Sequence, residues 1–111
     1  MTFQESIQLC FQKYADFNGR AKRPEYWWFA LFLILASLAL GIVSDILSAV
    51  FSLATILPSL AAGARRLHDT NKSGWFQLLF FIPVLGWIAV IYLLAIEGDA
   101  GANQYGEAPA N

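Results

Sequence analysis

Residues 64–75, with the sequence ARRLHDTNKSGW, decide the fold of this chain. They place three bases, the single histidine and one acid between two long segments, 46–64 and 73–96, that contain no Asp, Glu, Lys or Arg. Burying charged groups without partners is costly, whereas water or other polar groups satisfy them. We therefore expect residues 64–75 to lie in a polar layer, at the ends of both flanking segments.

The charge-free segments predict a membrane protein. Hydrophobic residues make up 58% of the 111 residues and charged ones 14%, against roughly 25% charged in soluble domains. Residues 26–44 and 46–64 are nineteen residues each, and as helices they would be about 28 Å long, close to the hydrocarbon thickness of a bilayer. The sequence predicts one all-α integral membrane domain over 1–111, with transmembrane helices at 26–44, 46–64 and 75–96.

The two ends of the chain have a different character. Apolar residues recur every three or four positions over residues 1–18, which predicts an amphipathic helix lying on the membrane surface. Thr2 and Glu5 fit a capping box at its start, and Gly19 fits a helix stop. Residues 97–111 are rich in Gly and Ala and hold three acids but no base, so we expect a mobile acidic tail.

Small residues indicate where the spans pack. Ser37 and Gly41 form a small-xxx-small pair that lets another helix approach the first span closely. Ser and Thr residues together with Gly63 follow one face of 46–64, and we expect that face to pack against the other helices. The alternative is that it lines a polar pathway. Pro83 and Gly86 predict a kink in the third span.

The basic residues predict the orientation. All seven Lys and Arg residues lie within positions 13–23 or 65–72. With three spans, both of these segments fall on one side of the membrane, and the positive-inside rule places that side in the cytoplasm. The N-terminus is then cytoplasmic, and the acidic tail at 97–111 is periplasmic.

Three motifs resemble a known family. They are, in order, GRA at 19–21 with Arg23 and EYW at 25–27, RRLHDT at 65–70 with SGW at 73–75, and Gly98, Gly101, Asn103, Tyr105, Gly106 and Pro109 in the tail. Over nearly the whole chain they resemble the family catalogued as domain of unknown function 805, the YhaH-like small bacterial inner-membrane proteins. Phe76 stands where the family often has a second Trp, and the first hairpin turn is shorter than in some members. The resemblance implies the bacterial inner (plasma) membrane and no assigned biochemical role.

The same motifs define a candidate site. An orientation signal needs only positive charge and no set order of Arg, His, Asp and Ser, so we predict a fixed polar cluster on the cytoplasmic face. Its candidate residues are Arg20, Arg23, Glu25, Arg65, Arg66, His68, Asp69 and Ser73. Such a cluster is structural, or it holds a lipid phosphate or a partner's acid.

Pairings within this cluster follow from the spacing. We expect Arg23 and Glu25 to meet Arg66 and Asp69. If the second helix continues to Asp69, Arg65 lies one turn away from that carboxylate and pairs with it. Three tryptophans beside the charged segments are predicted interfacial anchors, namely Trp27, Trp28 and Trp75.

Several chemistries lack the residues they need. One histidine without a nearby thiol does not make a metal site, and Cys10 is the single cysteine, so no disulfide forms within the chain. Ser73, His68 and Asp69 invite a catalytic triad, but no pattern predicts an oxyanion hole or a cleft. The balanced charge and apolar surface disfavour nucleic-acid binding. We expect no cofactor and no enzymatic activity.

These observations lead to one functional expectation and its alternatives. The first is a non-catalytic inner-membrane component that interacts with the bilayer, its anionic headgroups or a membrane-protein partner, and forms a homo-oligomer. The alternative is a subunit of an oligomeric transporter or channel, with the Ser and Thr face of 46–64 lining the path. A membrane enzyme acting on lipid or envelope precursors, dependent on His68, is the third.

Overall fold

The chain folds as a set of helices, described over residues 2–108 in a computed structural model. No strand occurs among these residues, and an isolated bridge joins Asn103 to Gly106, so the predicted all-α class is confirmed. Met1 of the predicted surface helix and residues 109–111 of the predicted tail lie outside the described residues. The elements are α1 (Phe3–Gln12), α2 (Arg23–Val43), α3 (Asp45–Ala54), α4 (Ile56–Asp69), a 3-10 helix (Gly74–Phe81) and α5 (Leu85–Ala95).

Helix α1 packs its apolar face on the start of α2. The Thr2 hydroxyl accepts from the Glu5 N–H at 3.1 Å, and the Glu5 carboxylate accepts from the Thr2 N–H at 3.0 Å, which confirms the capping box. This backbone N–H lowers the pKa of Glu5. The rings of Phe11 and Phe29 meet edge to face at 5.4 Å. The helix ends at Gln12, before the predicted end at residue 18, and Gly19 holds a left-handed turn with φ 87° further along the chain.

Helices α2 and α3 form a tight antiparallel hairpin. The Ser44 hydroxyl caps α3 by accepting from the Leu47 N–H at 3.4 Å. Ser48 of α3 lies against Gly41 and donates its hydroxyl to the Ser37 carbonyl at 3.1 Å. The predicted close approach at Ser37 and Gly41 is therefore confirmed, and α3 is the helix that makes it. Among the described residues, α2 is the one helix that is long and apolar enough to cross a membrane unaided.

Helices α3 and α4 together form the second long apolar element, with a bend of 44° between them. Pro58 has no N–H, so the Ala54 carbonyl loses its usual helical donor. The Tyr14 hydroxyl donates to this carbonyl instead. The predicted single helix at 46–64 is thus broken after Ala54 and continues to Asp69, and the carbonyl that Pro58 leaves free is satisfied by Tyr14, two residues after the end of α1.

The predicted single helix over 75–96 is wrong. The 3-10 helix and α5 are antiparallel neighbours, joined by a γ-turn in which the Leu85 N–H donates to the Pro83 carbonyl at 2.7 Å, with Val84 at φ 64° and ψ −67°. The Trp87 indole donates to the Phe80 carbonyl at 2.9 Å. Gly86 permits the close packing of α5 on the 3-10 helix, because a Cβ at this position would lie 1.7 Å from the Leu79 carbonyl oxygen. We call residues 74–95 the apolar hairpin.

Each arm of the apolar hairpin is short. Eight residues of 3-10 helix and eleven of α-helix are each about 16 Å long, roughly half the thickness of a bilayer core. The chain enters and leaves the hairpin beside the C-terminal half of α4: Gly74 lies against Ala64, and Gly98, three residues after the hairpin, lies against Asp69.

This reversal corrects two predictions about the tail. Residues 97–108 lie on the same end of the molecule as the basic segments 13–23 and 65–72, and not on the opposite end. The Asp99 N–H donates to the Asp69 carbonyl at 2.7 Å, and Arg20 donates to the Gly101 carbonyl at 2.7 Å. The tail is therefore packed against the protein over these residues, in place of the expected mobile segment.

Replacing Tyr14 by Phe tests how the break in the second long element is stabilised. We expect a loss of about 1 kcal/mol in unfolding free energy, the net contribution of one hydrogen bond, because the Ala54 carbonyl loses its donor. In a Pro58→Ala background the restored N–H can bond Ala54, so the same change costs less. Unfolding of all four proteins in one detergent measures the coupling. Equal costs in the two backgrounds would contradict this role of Tyr14.

Replacing Val84 by Gly distinguishes a turn from a continuous helix. A positive φ strains a β-branched residue but not glycine, so we expect unchanged or increased stability. In a continuous helix the same change would cost about 1 kcal/mol. The control is Ile88→Gly on α5, also exposed, where that cost is expected. Unfolding in detergent measures both, and comparable destabilisation of the two variants argues against the turn.

Candidate functional site

Six of the eight predicted site residues meet at one end of the helices. We call them the polar cluster: Arg20, Glu25, Arg65, Arg66, His68 and Asp69. The last turn of α4 supplies the Arg65-to-Asp69 segment. The segment before α2, residues 19–22, which we call the hinge, crosses it where the Ala21 N–H donates to the Arg65 carbonyl at 2.9 Å. The cluster exists because α4 continues past residue 64 and antiparallel packing puts its end beside the start of α2.

Arg65 connects α4 to α1 and α2. Its guanidinium is fully buried and donates to the Glu25 carboxylate at 3.2 Å, to the Asp16 carbonyl at 2.8 Å and to the Lys13 carbonyl at 3.2 Å. The predicted pairing of Arg65 with Asp69 is wrong. Arg65 points toward α1 and α2, where Glu25 is the carboxylate within reach.

Arg66 connects α4 to the end of the apolar hairpin. Its Nε donates to the Leu94 carbonyl at 2.9 Å, and its Nη2 donates to the Ile96 carbonyl. Its Nη1 donates to the Asp69 carboxylate at 3.2 Å and to the Ala21 carbonyl at 3.3 Å. The last carbonyls of a helix have no partner within the helix and attract positive charge. Arg66 therefore caps α5.

Arg20 connects the hinge to the tail. Its Nε donates to the Asp69 carboxylate at 2.9 Å. Its other nitrogens donate to the carbonyls of Asp99 at 2.6 Å, Gly101 at 2.7 Å and Gly106 at 3.1 Å. Asp69 thus accepts from two arginines, and neither Arg23 nor Glu25 contacts it as predicted.

The other two predicted residues lie outside the cluster. Arg23 begins α2 and is exposed, and it forms no ion pair with any residue in the 2–108 range. Glu25, two positions later, turns inward and is buried. Ser73 accepts from the Trp75 N–H at 3.2 Å and so caps the 3-10 helix. Arg23 therefore forms no ion pair with Asp69, although the two residues line the same surface pocket.

The three tryptophans differ in their surroundings. Trp27 is half-buried, and its indole donates to the Leu94 carbonyl at 3.1 Å beside Arg66. Trp28 and Trp75 are exposed, Trp75 at 77%. Trp27 holds α5 against α2, while the other two are available to the membrane interface.

His68 lies between the hinge and the tail. Its Nδ1 is 2.9 Å from the Gly19 carbonyl, and its ring is stacked on Tyr105 with centroids 3.9 Å apart. The Asn103 amide donates to the His68 carbonyl at 3.0 Å. His68 is buried, and the tail covers one face of its ring.

The tail residues are the part of the site that the sequence analysis missed. A Cβ on Gly98 would lie 1.7 Å from a carboxylate oxygen of Asp69, so only glycine fits there. The signal was present in the spacing of Gly98, Asn103 and Tyr105, which was interpreted as part of a mobile tail. Ser6 was also missed, and its hydroxyl donates to the Glu25 carbonyl.

The cluster holds charge within the protein. Three guanidinium groups face two carboxylates, and all five side chains are at most 5% exposed. Most guanidinium N–H groups donate to carbonyls or carboxylates, and Arg65 Nε is the one buried side-chain nitrogen or oxygen in the described part of the chain without a partner. No group of three His, Cys, Asp or Glu residues within 2–108 could hold a metal ion. The arrangement suits bonding between segments.

Helix α2 is long and apolar enough to cross a bilayer, and α3 with α4 forms a second long apolar element. Relatives that are named inner membrane proteins place this chain in the class of small all-helical membrane proteins. It belongs to the family described as Protein of unknown function (DUF805), which matches residues 14–107 and confirms the resemblance. This is a family of bacterial inner-membrane proteins.

The relatives share most of their length with this chain. Inner membrane protein YhaI of Escherichia coli (strain K12) is 43% identical over 105 residues, covering 88% of this chain and 89% of YhaI. Inner membrane protein YhaH of the same strain is 37% identical over 109 residues, covering 88% and 90%. Uncharacterized protein YiiR is 37% identical over 123 residues, covering 83% and 84%. No solved structure matches significantly.

Replacing Arg20 by Lys tests the docking of the tail. A lysine keeps the charge but carries its donors on one nitrogen, so it cannot reach Asp69 and three carbonyls together. We expect amide hydrogen exchange over residues 99–106 to accelerate roughly 10- to 100-fold. This factor corresponds to the loss of about 1.5–3 kcal/mol of charge-assisted hydrogen bonding. The matched control, Arg23→Lys, changes an exposed residue and leaves exchange unaltered. Equal exchange in both variants would contradict the docking.

Proposed function

We propose that this protein is a non-catalytic, lipid-interacting component of the bacterial inner membrane that crosses the bilayer twice. Helix α2 crosses once, and α3 with α4 crosses back as a broken span. The apolar hairpin enters from the end that carries the polar cluster and returns to that end. Irregular backbone at membrane depth needs internal partners, and Tyr14 at the α3–α4 break supplies one.

The orientation we propose has both terminal segments in the cytoplasm. All seven Lys and Arg residues lie at the end of the molecule that holds the polar cluster, and the positive-inside rule assigns that end to the cytoplasm. Asp45, the first residue of α3, is then the charged residue on the periplasmic side. The acidic tail lies on the same side as the basic residues because the apolar hairpin reverses the direction of the chain.

One observation supports lipid interaction above all: five of the seven Lys and Arg residues fall into two groups. Arg20, Arg65 and Arg66 are buried and occupied within the protein, whereas Lys22 and Arg23 at the start of α2 are not. Each base near an anionic leaflet contributes about 1 kcal/mol. We therefore assign headgroup contact to Lys22 and Arg23, and a structural role to the cluster.

The two alternative functions have less support. A transport path needs polar groups that face it, but Ser48 donates to the Ser37 carbonyl and Thr55 to the Phe51 carbonyl at 2.8 Å. A hydrolase would use Ser73 and Asp69, but Ser73 caps a helix and Asp69 is held by two arginines. These commitments favour a non-catalytic role.

Stability in nanodiscs of defined composition tests this proposal. We expect the protein to be more stable in phosphatidylglycerol than in phosphatidylcholine, and the Lys22→Gln/Arg23→Gln variant to lose about 2 kcal/mol of that difference. Raising the salt concentration should weaken the effect. Asp45→Asn is the control and should keep the full difference. A difference that persists undiminished in the double variant contradicts the assignment.

A further inference from the structure

A cavity of about 490 Å³ opens between α4, the 3-10 helix and the tail. Its volume is within the range of small-molecule sites. His68, Ser73, Gln77 and Tyr105 line its polar part, and Leu60, Ala64 and Leu78 are among its apolar residues. From His68 to Leu60 along α4 is about 12 Å, so the cavity leads from the polar cluster into the apolar layer.

His68 presents one free hydrogen-bonding atom to this cavity. The Gly19 carbonyl can only accept, so the Nδ1 beside it carries the proton, and Nε2 of the neutral ring is an acceptor. Nε2 has no partner among the described residues, and a Cβ on Gly74 in the cavity wall would lie 3.8 Å from it. The histidine is only 9% exposed, and stacking on Tyr105 fixes its ring. An ordered acceptor therefore faces a largely apolar space.

The charge of the cavity wall defines what it can take. No Lys or Arg is among the residues that line it, and the guanidinium groups of the polar cluster are occupied elsewhere. An anionic headgroup would lose its hydration there without gaining a cation. A hydroxyl group, in contrast, can donate to Nε2 and bury an attached alkyl chain against Leu60 and Leu78.

The geometry points to a binding site for a neutral, single-chain amphiphile with a hydroxyl headgroup, which donates to His68 Nε2. The tail of the ligand lies between α4 and the 3-10 helix, and its open side faces the lipid, where Leu60 and Leu78 are partly exposed. This site extends the proposed lipid interaction from headgroup contact at Lys22 and Arg23 to a defined ligand. Failure of the phosphatidylglycerol effect would remove that proposal and leave this one standing.

Photolabelling of the full chain in phosphatidylcholine nanodiscs tests the site. The probe is a diazirine-bearing hexadecanol, with hexadecanol, hexadecanoate and hexadecane as competitors and mass spectrometry to locate the label. We expect labelling within residues 60–78 and at 105, and hexadecanol to compete about tenfold better than hexadecane, as one buried hydrogen bond implies. Equal competition by hexadecane means unselective filling by lipid and overturns the proposal, as does preference for hexadecanoate.

Two variants separate recognition from folding. His68→Phe keeps a planar ring on Tyr105 but removes the acceptor, so hexadecanol should lose its advantage over hexadecane. Leu60→Trp fills the cavity without changing a polar side chain and should reduce labelling at least tenfold. Leu57→Trp, a similarly exposed position three residues earlier that does not line the cavity, is the control and should label normally. Undiminished labelling of Leu60→Trp contradicts the site.

Discussion

The bonding of buried guanidinium groups to backbone carbonyls is the interaction on which the rest of the structure depends. Arg65 holds α4 to α1 and α2, Arg66 holds it to the end of α5, and Arg20 holds the hinge to the tail. A buried cation without partners would cost several kcal/mol. Each arginine is therefore stable only when the segments that supply its acceptors pack against it. This requirement fixes the positions of those segments in the fold.

Most members of the cluster could be predicted from the sequence, but their pairing could not. The ordered bases and acids between uncharged segments indicated a polar layer, and six of eight candidate residues lie in it. Their partners depend on the direction in which each side chain leaves its helix, and the partners of Arg66 include the carbonyls of Leu94 and Ile96. Any residue can supply a carbonyl, so no sequence pattern identifies it.

The reversal at Val84 was hidden for a related reason. Residues 75–96 carry no charge and are apolar apart from Gln77 and the Tyr92 hydroxyl. Hydropathy measures how strongly a segment prefers lipid and does not say whether it crosses the bilayer or returns. Pro83 and Gly86 were recognised as local weaknesses, yet a kink and a turn have the same signature. The glycines of the tail predicted mobility, but glycine also occurs where two parts of a chain approach closely. Gly98 is such a case, because it packs against Asp69.

The most direct test of this account is the side of the membrane on which residue 104 lies. With the buried Cys10 replaced by Ala, single cysteines at Gln104, Asn18 and Asp45 can be treated in intact cells with a maleimide reagent that reaches the periplasm but does not cross the inner membrane. The account predicts labelling at Asp45→Cys alone, with Gln104→Cys and Asn18→Cys reacting only after the membrane is permeabilised. Labelling of Gln104→Cys in intact cells would contradict it, since the tail would then lie opposite the arginines that hold it.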